Sequence, residues 1–210
     1  MQIKIDLKIF IFLLFFFLLG QIEIYVWLIG FAFLHEIGHL IMGLCIGLKP
    51  REIKITPLGV AITFKNEIQY HSPNQKMLKE IAVASAGPLV NVAVVILCMA
   101  AKWECIQIIV VNVVLFLFNL LPIYPLDGGR IIKSVLGKRY SYWDTEKYIY
   151  TVSNTMMIIL TMICSIVILY YHNIALLLAL AYLWWMVLRE NKRYGIWKRC
   201  VKYTDEWVGK

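Results

Sequence analysis

The reading of the chain turns on residues 24–48, IYVWLIGFAFLHEIGHLIMGLCIGL. The run is apolar and long enough to cross about 30 Å of hydrocarbon as a helix, which takes about 20 residues. Yet it carries His35, Glu36 and His39 in its interior. Positions i and i+4 share one face of a helix. Two imidazoles so placed can chelate one zinc ion, and the glutamate between them lies where it can take a proton from water beside that ion. A bare HExxH pattern arises by chance, and a polar network bridging helices would also account for it. Three ionisable groups within a membrane span are costly, however, and default to function.

The rest of the composition agrees with that setting. Of the 210 residues 61% are hydrophobic and 16% charged, against about 45–50% and 25% in an ordinary soluble domain. The excess apolar surface must face lipid, which argues against a soluble enzyme, a disordered chain or a nucleic-acid-binding domain. The net charge of +8 is explained by cytoplasmic loops beside anionic lipid. The five cysteines are dispersed with no CxxC pair, so neither a disulfide framework nor a cysteine zinc site is expected.

Outward from the first quoted run, further apolar stretches cover residues 9–20, 77–101, 106–121, 151–171 and 174–188. The expected fold is an all-α polytopic membrane protein of about six transmembrane helices. With both termini cytoplasmic, every basic residue except Lys102 falls on the inner side, as the positive-inside rule requires. Residues 1–190 make up the expected membrane core. Residues 191–210 form a basic aromatic cytoplasmic tail suited to a membrane-surface anchor. Trp184 and Trp185 need no role beyond lipid-facing or interfacial packing.

Two segments depart from simple helix. Residues 51–70, REIKITPLGVAITFKNEIQY, alternate on either side of Pro57 and Gly59 and predict two strands around a turn. Such a hairpin offers an edge to an extended substrate or merely covers the site. Residues 119–130, NLLPIYPLDGGR, contain two prolines that cannot continue a helix, with Gly128 and Gly129 giving freedom to turn after Asp127. A catalytic zinc usually takes three protein ligands. For the third, His71 reads as solvated, His172 falls on the outer face, and Glu80 sits at the interface. Asp127 lies in a kinked apolar context without an adjacent basic residue. It can meet His39, about 13 Å below the surface at ~1.5 Å per residue, if the chain after Pro122 folds back.

HEIGH in one span and NLLPIYPLDGG in a later one, with EIAVASAGPLVN at residues 80–91 between them, resemble the site-2 protease (M50) family of intramembrane zinc metalloproteases. The resemblance implies one Zn²⁺ held by His35, His39 and Asp127, with Glu36 as the base. It is strongest to the sporulation branch of the family, which cleaves a membrane-associated sigma-factor precursor. That branch implies a location in the outer forespore membrane, a membrane-protein inhibitor as a further partner, and no direct contact with nucleic acid. The nucleotide-sensing CBS domain of that branch is not expected here, since about 20 residues follow the last span. Asn119, Pro57 and Gly59 are candidates for substrate contact. Asn119 and Asn91 are equally well read as ordinary interhelical hydrogen-bonding groups. The pairs Gly43 with Gly47 and Ala82 with Ala86 have the spacing of close helix packing. A small ion or metal transporter using the His/Glu/Asp cluster is the rival class, as is an inactive chaperone of the same fold. Iron is not excluded by a two-His, one-carboxylate set.

Overall fold

The structure is a computed structural model, and it describes residues 2–56, 59–64, 72–103, 105–171 and 174–208. Its contacts divide the chain into two compact units, residues 1–121 and 122–210.

The first unit opens with strand β1 (Gln2–Ile5), followed by α1 (Lys8–Leu18) and α2 (Ile22–Cys45). Strands β2 (Pro50–Thr56) and β3 (Gly59–Phe64) come next, then α3 (Pro73–Ala100) and α4 (Ile106–Asn119). The expected hairpin is present, with β2 and β3 antiparallel and Ile53 opposite Ile62. It is not alone. β1 pairs parallel to β2, Lys4 beside Lys54, giving a three-stranded sheet of order β1-β2-β3. The sequence reading took residues 2–5 only as a charged flank of the first span. Four residues carry too short an alternation to announce a strand, and the pairing depends on a partner fifty residues away. Lys4 also reaches Glu52 across that pair at 3.0 Å.

Three described helices are long and apolar enough to cross a membrane: Ile22–Cys45, Pro73–Ala100 and Tyr142–Tyr170. α1 and α4 are apolar but have 11 and 14 residues. Large apolar side chains such as Phe10, Phe17, Leu89, Leu97 and Leu169 point outward, where lipid rather than water accounts for them.

α2 is terminated by a local device. Gly47 takes φ +88°, and its N–H donates to Leu44 O at 2.9 Å while that of Leu48 donates to Gly43 O at 2.8 Å. This is a Schellman cap, for which glycine is favoured at the left-handed position. Gly47 therefore ends the helix and does not pair with Gly43 in a helix contact. The Phe64 ring of β3 lies where a Cβ on Gly43 would stand. The close approach of α2 to α3 occurs one turn earlier, at Gly38. A Cβ there would lie 2.7 Å from Val90 Cγ2 and 2.8 Å from Ala86 O. α4 completes this unit, with Val111 and Leu115 against Ala32. α1 is held by Phe16 stacked on Tyr25 at 4.5 Å.

The second unit holds α5 (Asp127–Arg139), α6 (Tyr142–Tyr171) and α7 (Ile174–Val208). α5 was not expected as a helix, because two prolines and two glycines precede or open it. α6 and α7 pack through Met157, Leu183 and Val187, all but fully buried. Trp184 is not simply lipid-facing: its Nε1–H donates to Thr161 Oγ1 at 2.9 Å. Asn191 Nδ2 donates to Asn154 Oδ1 at 2.9 Å. α7 continues without a break through residue 190.

The α2–α3 approach gives a direct expectation. Gly38→Val should lower stability by about 1–3 kcal/mol through overpacking against backbone, read as a fall in thermal midpoint in detergent. An unchanged midpoint would mean that the helices separate at no cost.

Candidate metal centre

The donor groups arise from ordinary helix geometry. His35 and His39 lie one turn apart on α2, and both are buried. Their Nε2 atoms lie 3.1 Å apart. Two imidazole nitrogens on one tetrahedral zinc, each about 2.0–2.1 Å from it, stand about 3.3 Å from each other. The pair is thus already spaced as the ion would require.

α3 supplies the groups behind the rings. His39 Nδ1 lies 2.7 Å from Val83 O. A carbonyl can only accept, so Nδ1 carries the proton and Nε2 keeps its lone pair. His35 Nδ1 lies 3.0 Å from the side-chain amide of Asn91, which is also buried. Pro88 lies within α3 and has no N–H to return to Ala84, which loosens the ladder in this turn. Gly87 makes the room. A Cβ there would sit 2.5 Å from His35 Nε2 and press on His39 Nε2 as well. The cradle is one that a single methyl group would fill. Glu36, next after His35 on α2, is half-buried.

Asp127 belongs to the second unit, where it begins α5 and is buried. A carboxylate in the first turn is favoured by the helix dipole. The turn before it is held by Leu126 N–H donating to Ile123 O at 2.8 Å and Tyr124 N–H donating to Ser153 Oγ at 2.9 Å. The sequence reading gave Gly128-Gly129 the task of turning the chain after Asp127. Both instead lie inside the helix, and a Cβ on Gly129 would meet Tyr124 N at 2.5 Å. The glycine is needed for close backbone approach. Nor is the carboxylate remote from a cation, since Arg130 Nη1 stands 3.7 Å from its Oδ1, one turn on and largely exposed. Helical winding, invisible in a loop reading, brings i and i+3 together.

Among the described residues, the first unit holds two buried imidazoles, His35 and His39, and the second a buried carboxylate, Asp127, at the start of a helix. Two nitrogens and one carboxylate are a zinc-type set, so the residues present fit the ion. The other candidates fare variously. Glu80 pairs with Lys76 along α3 at 3.9 Å. His71, His172 and Pro57 lie outside the described residues, while Gly59 opens β3. Asn119 ends α4, and its Nδ2 donates to Leu115 O at 3.0 Å. Gly87, Val83 and Ser153 were missed. A glycine beside a proline in a span reads as packing, a carbonyl has no sequence signature, and Ser153 sits in an apolar run.

Against solved structures, the fold matches a site-2 protease from Methanocaldococcus jannaschii. The TM-score is 0.69 and the identity 22%, over 90% of this chain and 89% of that one. The architecture is therefore that of a site-2 protease. The sequence matches the Peptidase family M50 model over residues 23–107 and 100–163, and the chain belongs to that family. It is 28% identical to zinc metalloprotease MJ0392 of Methanocaldococcus jannaschii, over 60% of this chain and 38% of that protein. It is 24% identical to stage IV sporulation protein FB of Bacillus subtilis, over 62% and 46%. The chain thus spans less than half the length of either relative.

Gly87→Ala isolates the cradle. Bound zinc should fall well below one per chain in metal analysis of the purified protein, with helical content by circular dichroism retained. Full zinc loading of this variant would show that the rings have room to move aside.

Proposed function

We propose that the chain is an intramembrane zinc metalloendopeptidase. His35, His39 and Asp127 hold the ion and Glu36 serves as the proton carrier. The observation that carries the reading is the convergence of two buried imidazole Nε2 atoms 3.1 Å apart with Glu36 between them in sequence, in a chain of family M50. Asp127 is the third ligand because it is a buried carboxylate at a helix start in the segment PLDGG.

When bound, zinc supplies Lewis acidity, polarising the scissile carbonyl and making water nucleophilic near neutral pH. Glu36 takes the proton from that water and delivers it to the leaving amide nitrogen, which departs as a neutral amine. Val83 O keeps the His39 ring oriented through its Nδ1–H. The substrate must be extended at the cleaved bond, because a helix uses its carbonyls in its own ladder. β3 is an edge strand of its sheet, beside α2 through Phe64 and Gly43. It is the element suited to receive such a strand by main-chain pairing, with Pro57, Gly59 and Asn119 as further substrate-contact residues.

The substrate is a membrane-associated protein. A sigma-factor precursor is the finer reading, supported by similarity to a stage IV sporulation protein. With it go six spans, both termini in the cytoplasm, residence in the cell membrane or outer forespore membrane, and a membrane-protein inhibitor. A transporter using the same cluster is not favoured by the family.

Glu36→Gln decides the enzymatic reading. The variant should keep one zinc per chain and cleave a co-expressed membrane-tethered substrate at least about 10²-fold more slowly. His35→Ala and Asp127→Ala should lose the metal. Undiminished cleavage by Glu36→Gln would remove Glu36 from the mechanism, and full zinc in Asp127→Ala would remove the aspartate from the ligand set.

A further inference from the structure

Asn91 lies on α3, buried, one turn beyond Gly87, with its side-chain amide 3.0 Å from His35 Nδ1. As oriented, the nitrogen Nδ2 faces the ring, while the buried oxygen Oδ1 has no hydrogen-bond partner. Whichever end of the amide stands there lacks a partner, so the choice between the two orientations rests on the end that meets His35. The two ends of an asparagine amide have nearly the same shape, and the hydrogen-bond network decides between them. With Nδ2 donating, His35 Nδ1 must accept, which places the ring proton on Nε2. That is the nitrogen facing His39 Nε2, so the ring would offer a proton where a ligand needs a lone pair. Turning the amide over removes that fault. Oδ1 then accepts from Nδ1–H, and Nε2 is bare. His39 already has this arrangement, its Nδ1–H on Val83 O. The two rings then have the same tautomer, each held from behind by an oxygen of α3.

We propose that Asn91 is the positioning residue of His35: its carbonyl oxygen accepts from Nδ1–H and fixes the tautomer whose Nε2 can bind metal. The inference rests on the zinc reading above. It also identifies α3 as the element that prepares both imidazoles, through one side chain and one main-chain oxygen.

The test uses the full chain in detergent, measuring zinc affinity by chelator competition and the thermal midpoint of the metal-free protein. Asn91→Asp keeps an acceptor and loses the donor, whereas Asn91→Leu loses both at similar volume. Asn91→Asp should bind zinc as tightly as wild type or more tightly. Asn91→Leu should bind about 10–100-fold more weakly, the usual cost of losing a partner behind a ligating histidine. If Asn91→Asp is weakened as much as Asn91→Leu, the amide acts as a donor and the proposal fails. If both bind as wild type does, Asn91 only packs, and the proposal fails. Should Asn91→Leu not fold, Asn91→Ala takes its place as the variant that loses both groups, with the same outcomes. Wild type that binds no zinc would instead overturn the metal centre itself.

Discussion

The first unit depends on how closely α2 can approach α3. Gly38 on one helix meets Ala86 O and Val90 on the other, and one residue on, Gly87 leaves space for two imidazole rings. Apolar surface does not by itself drive helices together in lipid, because the tails are as apolar as leucine. Close van der Waals packing at small residues and interhelical hydrogen bonds do so instead. Here the same contact serves both purposes. The bonds from α3 to His35 and His39 join the helices and orient the rings at once.

That economy explains why polar groups are tolerated in so apolar a chain. Buried histidine, asparagine and aspartate are costly when unpaired. Each histidine Nδ1 has a partner on α3, and Asp127 opens a helix whose dipole favours a carboxylate. The remaining polar side chains of the spans largely return to their own helices. Asn112 Nδ2 donates to Ile108 O and Ser165 Oγ to Thr161 O, which removes donors from lipid without joining elements. In the first unit the polar side chains of the site are those whose bonds run from α2 to α3.

The second unit is organised differently. Its buried contacts join α6 to α7 through Met157, Leu183 and the Trp184–Thr161 bond. The turn from Ile123 to Leu126 that presents Asp127 is tied to α6 by Ser153. A short helix with a buried acidic first residue needs such bracing, since nothing in its own sequence fixes where it begins. Lys133 on α5 and Glu146 on α6 add an ion pair at 2.5 Å, partly shielded and therefore of more use to orientation than to stability.

The sequence by itself marked out the apolar, membrane-suited character of the chain, its long apolar helices and the candidate donor residues. Composition, helical periodicity and the i, i+4 spacing of His35 and His39 are local properties, written into neighbouring residues. It also carried the hairpin, because alternation around Pro57 and Gly59 is local too. The tertiary structure alone decided the third strand, the helix at Asp127, the task of each glycine and which atoms stand behind the imidazoles. Those depend on groups far apart in the chain, and a backbone carbonyl such as Val83 O or a missing Cβ such as that of Gly87 leaves no mark in sequence pattern. Chemistry was legible because side chains announce it, whereas orientation was not, because it is made by whatever happens to lie opposite.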